Sequence, residues 1–234
     1  MITPRLQMII DLVSEKTIAD IGTDHAYIPI KLASMGQIEK AIATDKNEGP
    51  LKIAEENVFR YGLSDKVSLR LGSGLDPINE GECELLIIAG MGGKLIGDII
   101  EDNLSKSKSF KLLLQPMNAQ AELRKRLINL GFKITKESLS CEGFKVYNAF
   151  CCERGKQKLP EEKFLHIPLE LSCNKYYNML VDKKIRELNK IIKGLENAKT
   201  PDYSEIDYYK NLLGKIENMN QKGLWQWKLR KVLF

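Results

Sequence analysis

The sequence predicts an α/β protein: a doubly wound, mostly parallel sheet that finishes in an antiparallel hairpin, followed by a C-terminal antiparallel helical hairpin of coiled-coil type. Three observations predict it. Over residues 1–154, short β-rich runs alternate with helical stretches of about 10–13 residues, the signature of βαβ units. Several of these runs are apolar throughout instead of alternating, as strands covered on both faces must be. Past residue 160 the apolar spacing switches to heptads.

Taken in order, Leu6, Ile9, Ile10 and Val13 give a short amphipathic helix ahead of the sheet. Thr17–Ile21 reads as the first strand, Ala41–Asp45 as the second, Val67–Leu71 as the third and Leu85–Ala89 as the fourth. Leu112-Leu113-Leu114 belongs to a fifth strand. Helices are expected near 26–36, 49–61, 92–103 and 118–130, the last closed by Gly131. The runs 132–139 and 144–152, separated by Cys141-Glu142-Gly143, read as the closing hairpin. This is a Rossmann-like body, expected to occupy residues 1–154.

Residues 155–234 form the second expected domain. Gly155-Lys156-Gln157-Lys158 and Pro160 make a polar connector, and 161–220 reads as helical. Val181, Ile185, Leu188, Ile192 and Leu195 form one heptad seam; Ile206, Tyr209, Leu213 and Ile216 form another. Lys199-Thr200-Pro201-Asp202 lies between them, with Thr200 expected as N-cap and Pro201 at the first helical position.

Composition excludes several classes. The 234 residues are 43% hydrophobic and 29% charged, which excludes a collagen, a wholly disordered chain and a disulfide scaffold. No apolar run approaches the roughly 18 residues of a membrane span, and no signal-peptide pattern opens the chain. Five cysteines then read as reduced thiols, and a cytoplasmic location is expected. The net charge of +5 is carried by the last third: residues 1–154 sum to −1 and residues 155–234 to +6. A basic appendage on a neutral body suits a polyanion, although a solvated helix face or a dimerising hairpin has the same composition.

The strand-end loops carry the chemistry. After the first strand comes Asp20-Ile21-Gly22-Thr23-Asp24-His25-Ala26-Tyr27. A dinucleotide site needs Gly-x-Gly-x-x-Gly here. This loop has one glycine, and Asp24 would repel a pyrophosphate. The expected ligand therefore presents a cation and lacks a diphosphate. Asp45 ends the second strand, placed to accept from a ribose diol. Gly72-Ser73-Gly74 after the third strand lets a flat ring lie against backbone. An ammonium, a ribose and an adenine along three successive strand ends describe S-adenosylmethionine (SAM). After the fourth strand, Gly90-Met91-Gly92-Gly93 offers an open floor for a second flat ring, or simply a tight strand–helix turn. Cys83 lies at the far end of that strand, away from any nucleophile's position. Adjacent Cys151 and Cys152 point to opposite faces, and only two histidines exist, so no metal is expected.

Asp20-Ile-Gly-Thr-Asp-His-Ala-Tyr27, Glu48-Gly-Pro-Leu51, Ala89-Gly-Met-Gly-Gly93 and Gln115-Pro-Met117 occur in one order, which closely resembles the bacterial tRNA (adenine-22-N1)-methyltransferase family, TrmK. The resemblance covers about residues 1–153, and the following hairpin is similar to that family's C-terminal coiled coil. It implies a class I enzyme that moves methyl from SAM to N1 of an adenine in the tRNA D-arm. Ser73 departs from the acid that many class I enzymes carry there. The tail from Trp225-Gln226-Trp227 onward matches no motif. The alternatives are a nicotinamide-dependent oxidoreductase and a catalytically silent RNA-binding scaffold of the same fold.

On this reading the cofactor residues are Asp20, Gly22, Thr23, Asp45, Lys46, Gly72, Ser73, Gly74, Ala89, Gly90 and Met91. Asp24 is expected to stabilise the cationic product, with His25 orienting it or accepting a proton; the competing roles are a helix cap for Asp24 and packing beneath the loop for His25. The residues expected on RNA are Gly92, Gly93, Gln115, Pro116, Arg124, Lys183, Lys184, Arg186, Lys190 and Lys193. The expected partner is tRNA, bound by a monomer or weak dimer with no membrane and no metal.

Overall fold

The computed structural model describes residues 2–232, with side chains described through Met219. The Trp225–Trp227 side chains lie outside that range. The chain divides into two compact units, 1–159 and 160–234. Residues 155–159, expected in the second unit, stay with the first. Gly155 donates its N–H to the Gly131 carbonyl at 3.0 Å, and the Gln157 side chain accepts the Ile134 N–H at 2.8 Å.

The first unit runs α1 (Pro4–Leu12), β1 (Thr17–Ile21), α2 (Tyr27–Ser34), β2 (Lys40–Asp45), α3 (Glu48–Arg60) and β3 (Val67–Leu71). It continues with β4 (Leu85–Met91), α4 (Gly93–Asp102), the single turn α5 (Leu104–Ser107), β5 (Lys111–Pro116), α6 (Gln120–Asn129), β6 (Phe132–Glu142) and β7 (Lys145–Arg154). The seven strands form one sheet in the order β3-β2-β1-β4-β5-β7-β6. β1 through β5 are parallel; β7 pairs antiparallel with β5 and β6. The order reverses at β1, so the loops after β1 and β4 leave to opposite faces and open a crevice at their carboxyl ends.

The apolar strands are apolar because both faces are covered. Leu85 and Ile87 join one core with Ile9, Ile10, Ile30, Leu32 and Val58. Leu86 and Ile88 join the other with Ile96, Ile100, Leu123 and Leu127. Alternate residues of one strand thus feed two cores. Thr3 caps α1, its hydroxyl accepting the Leu6 N–H at 3.4 Å, and Pro4 occupies the first turn. Gly131 follows α6 with φ +88°, the left-handed stop expected there. The closing hairpin is longer than its sequence suggests: pairing continues to Glu142 opposite Lys145, and Gly143 at φ +58° leaves a two-residue loop, Gly143-Phe144.

Arg124, expected on RNA in the basic run Arg124-Lys125-Arg126, is placed elsewhere by the structure. It is 2% exposed, and its guanidinium holds Glu137 through Nε at 3.2 Å and Nη2 at 2.7 Å, bonds Asn148 and lies over the Phe150 ring. Arg126 is also engaged, bridging Asp98 and Glu101 of α4. Arg124 is therefore a core ion pair and cannot reach a phosphate. Arg124→Met leaves the Glu137 carboxylate buried without its cation, at a cost of about 3–5 kcal/mol. A calorimetric scan is expected to show Tm lowered by about 10 °C.

The second unit holds α7 (Glu162–His166), a 3₁₀ turn (Leu169–Cys173), α8 (Tyr177–Glu196) and α9 (Tyr203–Val232). It is not continuously helical from 161: Pro168 disfavours α geometry at Ile167 and ends the first helix. α8 and α9 pack on each other through Val181, Leu188, Ile192, Ile206 and Ile216, with Leu212 also buried. The cap of α9 is Asp202, two residues later than expected. Its Oδ1 accepts the Ser204 and Glu205 N–H groups at 3.0 and 3.1 Å, so Thr200 is not the cap and Pro201 precedes the helix. Among the described residues no helix is long and apolar enough to cross a membrane.

Candidate active site

The loop after β1 is built on unusual backbone. Gly22, Asp24 and Ala26 all adopt left-handed φ, at +71°, +57° and +58°. Two non-glycine residues in that region within three positions mark a loop whose shape is imposed by its surroundings. The φ of +71° is what favours glycine at position 22; a Cβ there would meet only the flexible end of the Met91 side chain. The loop is stitched to its neighbour where the Thr23 N–H donates to the Thr44 carbonyl at 2.8 Å.

Two carboxylates lie buried at the strand ends. Asp20 is 4% exposed and accepts the Thr23 hydroxyl at 2.6 Å. Burial, opposed by that hydrogen bond and reinforced by the charge of Asp45, pushes its carboxyl up to about 6. Asp45 is also buried and accepts the Asn47 N–H at 2.9 Å, while its carbonyl accepts the Gly72 N–H at 2.9 Å. Gly72 sits against Pro77, and Gly74 has φ +51°, so this turn too is shaped for glycine. Ser73 and Lys46 are exposed beside it.

A raised carboxylate costs folded-state stability above its own titration and invites a cation to relieve it. Ionised Asp20 is disfavoured relative to the unfolded chain, so its cost appears as pH rises past about 4 and is complete above about 6. Asp20→Asn is therefore expected to raise the Tm of the free protein at pH 8 while weakening SAM binding. In the wild type, calorimetric titration should show SAM affinity falling as pH drops below about 6.

Asp24 is exposed, with 68% of its side chain accessible. It does not cap α2: Ala26 holds the cap position and no side chain bonds there. Its carboxylate stands 3.6 Å from His25 Nε2, an electrostatic contact beyond hydrogen-bond length. The His25 ring lies edge-on to Tyr27, and its buried Nδ1 has no hydrogen-bond partner.

Across the crevice, β4 carries a bulge between Ala89 and Met91, where Gly90 turns to φ +78°. Its N–H donates to Gln115 Oε1 at 3.2 Å, and the same oxygen accepts Arg5 Nη1 at 2.8 Å. Gln115 is fully buried and Pro116 is buried beside it, so both support the floor from beneath and neither is an RNA contact. Gly93 is buried as well. Its Cβ would fall 2.7 Å from the carbonyl oxygens of Asn118 and Ala119, and its N–H donates to Asn118 Oδ1 at 3.2 Å. Gly93 thus serves the tight strand–helix turn, leaving Gly90 and Gly92 as the accessible floor. Arg5 and Asn118, which shape this floor, carry no motif signal in the sequence.

The cysteines take no part. Burial pushes the Cys83 thiol up to about 12 and the Cys151 thiol up to about 11. Among the described residues no cluster of three or more His, Cys, Asp or Glu is placed to hold a metal ion.

In the second unit, Lys183 and Lys184 face Glu187 of the same helix, at 3.9 and 2.7 Å. Arg186, Lys190 and Lys193 are exposed on α8 at spacings of four and three, on one face.

Residues 2–150 match the family described as a methyltransferase domain. The tRNA (adenine(22)-N(1))-methyltransferase of Bacillus subtilis is 33% identical over 156 residues, 66% of this chain and 66%, just under two-thirds, of that protein. The crystal structure of Streptococcus pneumoniae Sp1610 in complex with SAM superposes with a TM-score of 0.82 at 34% identity, covering 94% of this chain and 100% of that one. TrmK of M. capricolum, in complex with S-adenosyl-homocysteine, gives a TM-score of 0.79 at 26% identity over 94% and 98% of the two chains. With buried acids on β1 and β2, glycines after β3 and an open floor on β4, and with likeness extending through both units, the chain belongs to the methyltransferase domain family and, within it, to the tRNA (adenine(22)-N(1))-methyltransferase family.

Proposed function

We infer that this chain uses SAM to methylate N1 of adenine 22 in the D-arm of tRNA, work that belongs in the cytoplasm. The observation that carries the reading is the set of three carboxylates on adjacent strand ends. Two are buried, Asp20 and Asp45, and one, Asp24, is exposed on a left-handed turn of the loop after β1. The buried pair and the glycine turn at Gly72–Gly74 fit a cationic, ribose-bearing ligand. The missing second and third glycines, and an acid in their place, do not fit a dinucleotide.

When bound, SAM supplies an electrophilic methyl group. The residues around it supply position and charge. Adenine N1 carries its own lone pair, so the site needs to orient the base more than to deprotonate it. Methylation leaves positive charge along the N1–N6 edge, and the Asp24 carboxylate stabilises that charge where it forms. His25, with Nε2 3.6 Å from the Asp24 carboxylate, stands near enough to take a proton from the site. N1 lies on the pairing edge, so the adenine must be turned out of any stem. Arg186, Lys190 and Lys193 grip phosphates elsewhere on the RNA while that happens.

Incubation with SAM and unmodified tRNA, followed by nucleoside analysis, is expected to yield 1-methyladenosine. SAM binding without any methylated nucleoside would make the chain a silent scaffold. Binding of NAD in preference to SAM would support the oxidoreductase.

A further inference from the structure

The most exposed large apolar side chain among the described residues is Phe144, at 97%. It stands in the two-residue loop of the β6–β7 hairpin, beside Gly143 and exposed Lys145. Topology places that loop at the catalytic end of the sheet. β7 pairs antiparallel with β5, with Phe150 opposite Leu114, so residues 145–147 run past the point where β5 ends at Pro116. From the level of Pro116 to Lys145 is about 10 Å at the usual rise per strand residue.

The tip is also tied to the floor of the site. Glu142 Oε1 accepts the Arg5 N–H at 2.8 Å. Hydrogen bonding from the Thr3 hydroxyl, and then from that N–H, holds its carboxyl below the usual range. The Arg5 guanidinium donates to Gln115, which accepts the Gly90 N–H. Arg5 thus ties the hairpin tip, through its backbone, to the strand bulge at Gly90, through its side chain and Gln115. Resting on the functional reading above, we propose that Phe144 is a stacking platform for an unpaired tRNA base neighbouring the methylated adenine. The flanking residues Glu142, Gly143 and Lys145 are polar or bare, so the tip offers one ring with a cation beside it. That arrangement matches a base and its phosphate, and it lacks the extended apolar area a protein interface needs.

The test is steady-state methylation of tRNA by the full chain and its Phe144→Ala, Phe144→Leu and Phe144→Trp variants, with SAM affinity measured in parallel. Phe144→Ala is expected to raise KM for tRNA by about tenfold, the scale of one lost base–aromatic stack, with kcat within twofold and SAM affinity unchanged. Phe144→Trp restores KM; Phe144→Leu, which keeps apolar bulk without a π face, does not. An unchanged KM in Phe144→Ala, or full rescue by leucine, would overturn the proposal. So would a variant that alters only sedimentation behaviour, which would make the tip a contact between copies. A wild-type enzyme that binds SAM yet leaves tRNA unmodified overturns the functional reading and this inference together.

Discussion

Asp24→Ala is expected to lower kcat for tRNA methylation by about 100-fold, the scale of removing one preorganised electrostatic partner from a site of charge development. SAM affinity should stay near the wild-type value, because the carboxylates proposed to face the donor are Asp20 and Asp45. Stability should change little, because Asp24 is exposed and caps no helix. One complication is conformational: Asp24 sits at φ +57°, where aspartate and asparagine are better tolerated than alanine. Asp24→Asn keeps that preference and removes only the charge. Both variants losing turnover with unchanged KM for SAM assigns the effect to charge. An asparagine variant that turns over at the wild-type rate would end the assignment of Asp24 as a catalytic residue.

Removing residues 160–234 is expected to abolish tRNA methylation while leaving SAM binding intact. The cut belongs at 160 because Gly155 and Gln157 bond into the first unit. The first unit carries its own two cores and all of the strand-end residues, so its fold does not depend on α8 and α9 for apolar cover. What the deletion takes away is the phosphate grip proposed for Arg186, Lys190 and Lys193. In the full chain, tRNA affinity should fall steeply with salt, each neutralised phosphate contributing about 0.9 to the slope of log affinity against log salt on a duplex. Reversing the three charges to glutamate should flatten that slope. A truncated protein that methylates tRNA at the full rate would show that the body alone holds the RNA and that the hairpin serves another purpose, such as dimerisation.

Period and punctuation alone determined the sheet of this protein. Apolar runs such as Leu85–Ile88 have the length of strands and no alternation, and only burial on both faces permits that. The candidate cofactor end was legible for a related reason. Asp20 and Asp45 lie at the ends of β1 and β2, Gly22 and the Gly72–Gly74 turn directly follow β1 and β3, and in a doubly wound sheet all of these positions lie at the same edge. Accessibility was decided only in three dimensions. Arg124 reads as part of a basic cluster until Glu137, thirteen residues later, and Asn148, twenty-four later, close over it. Gly93 shares a motif run with Gly90 and Gln115 opens the next motif, yet they are covered by Asn118–Ala119 and by Arg5, while Gly90 stays open. A sequence sets which groups leave a strand end together. Which of them meets solvent depends on segments that approach from elsewhere in the chain, and no local spacing encodes that approach.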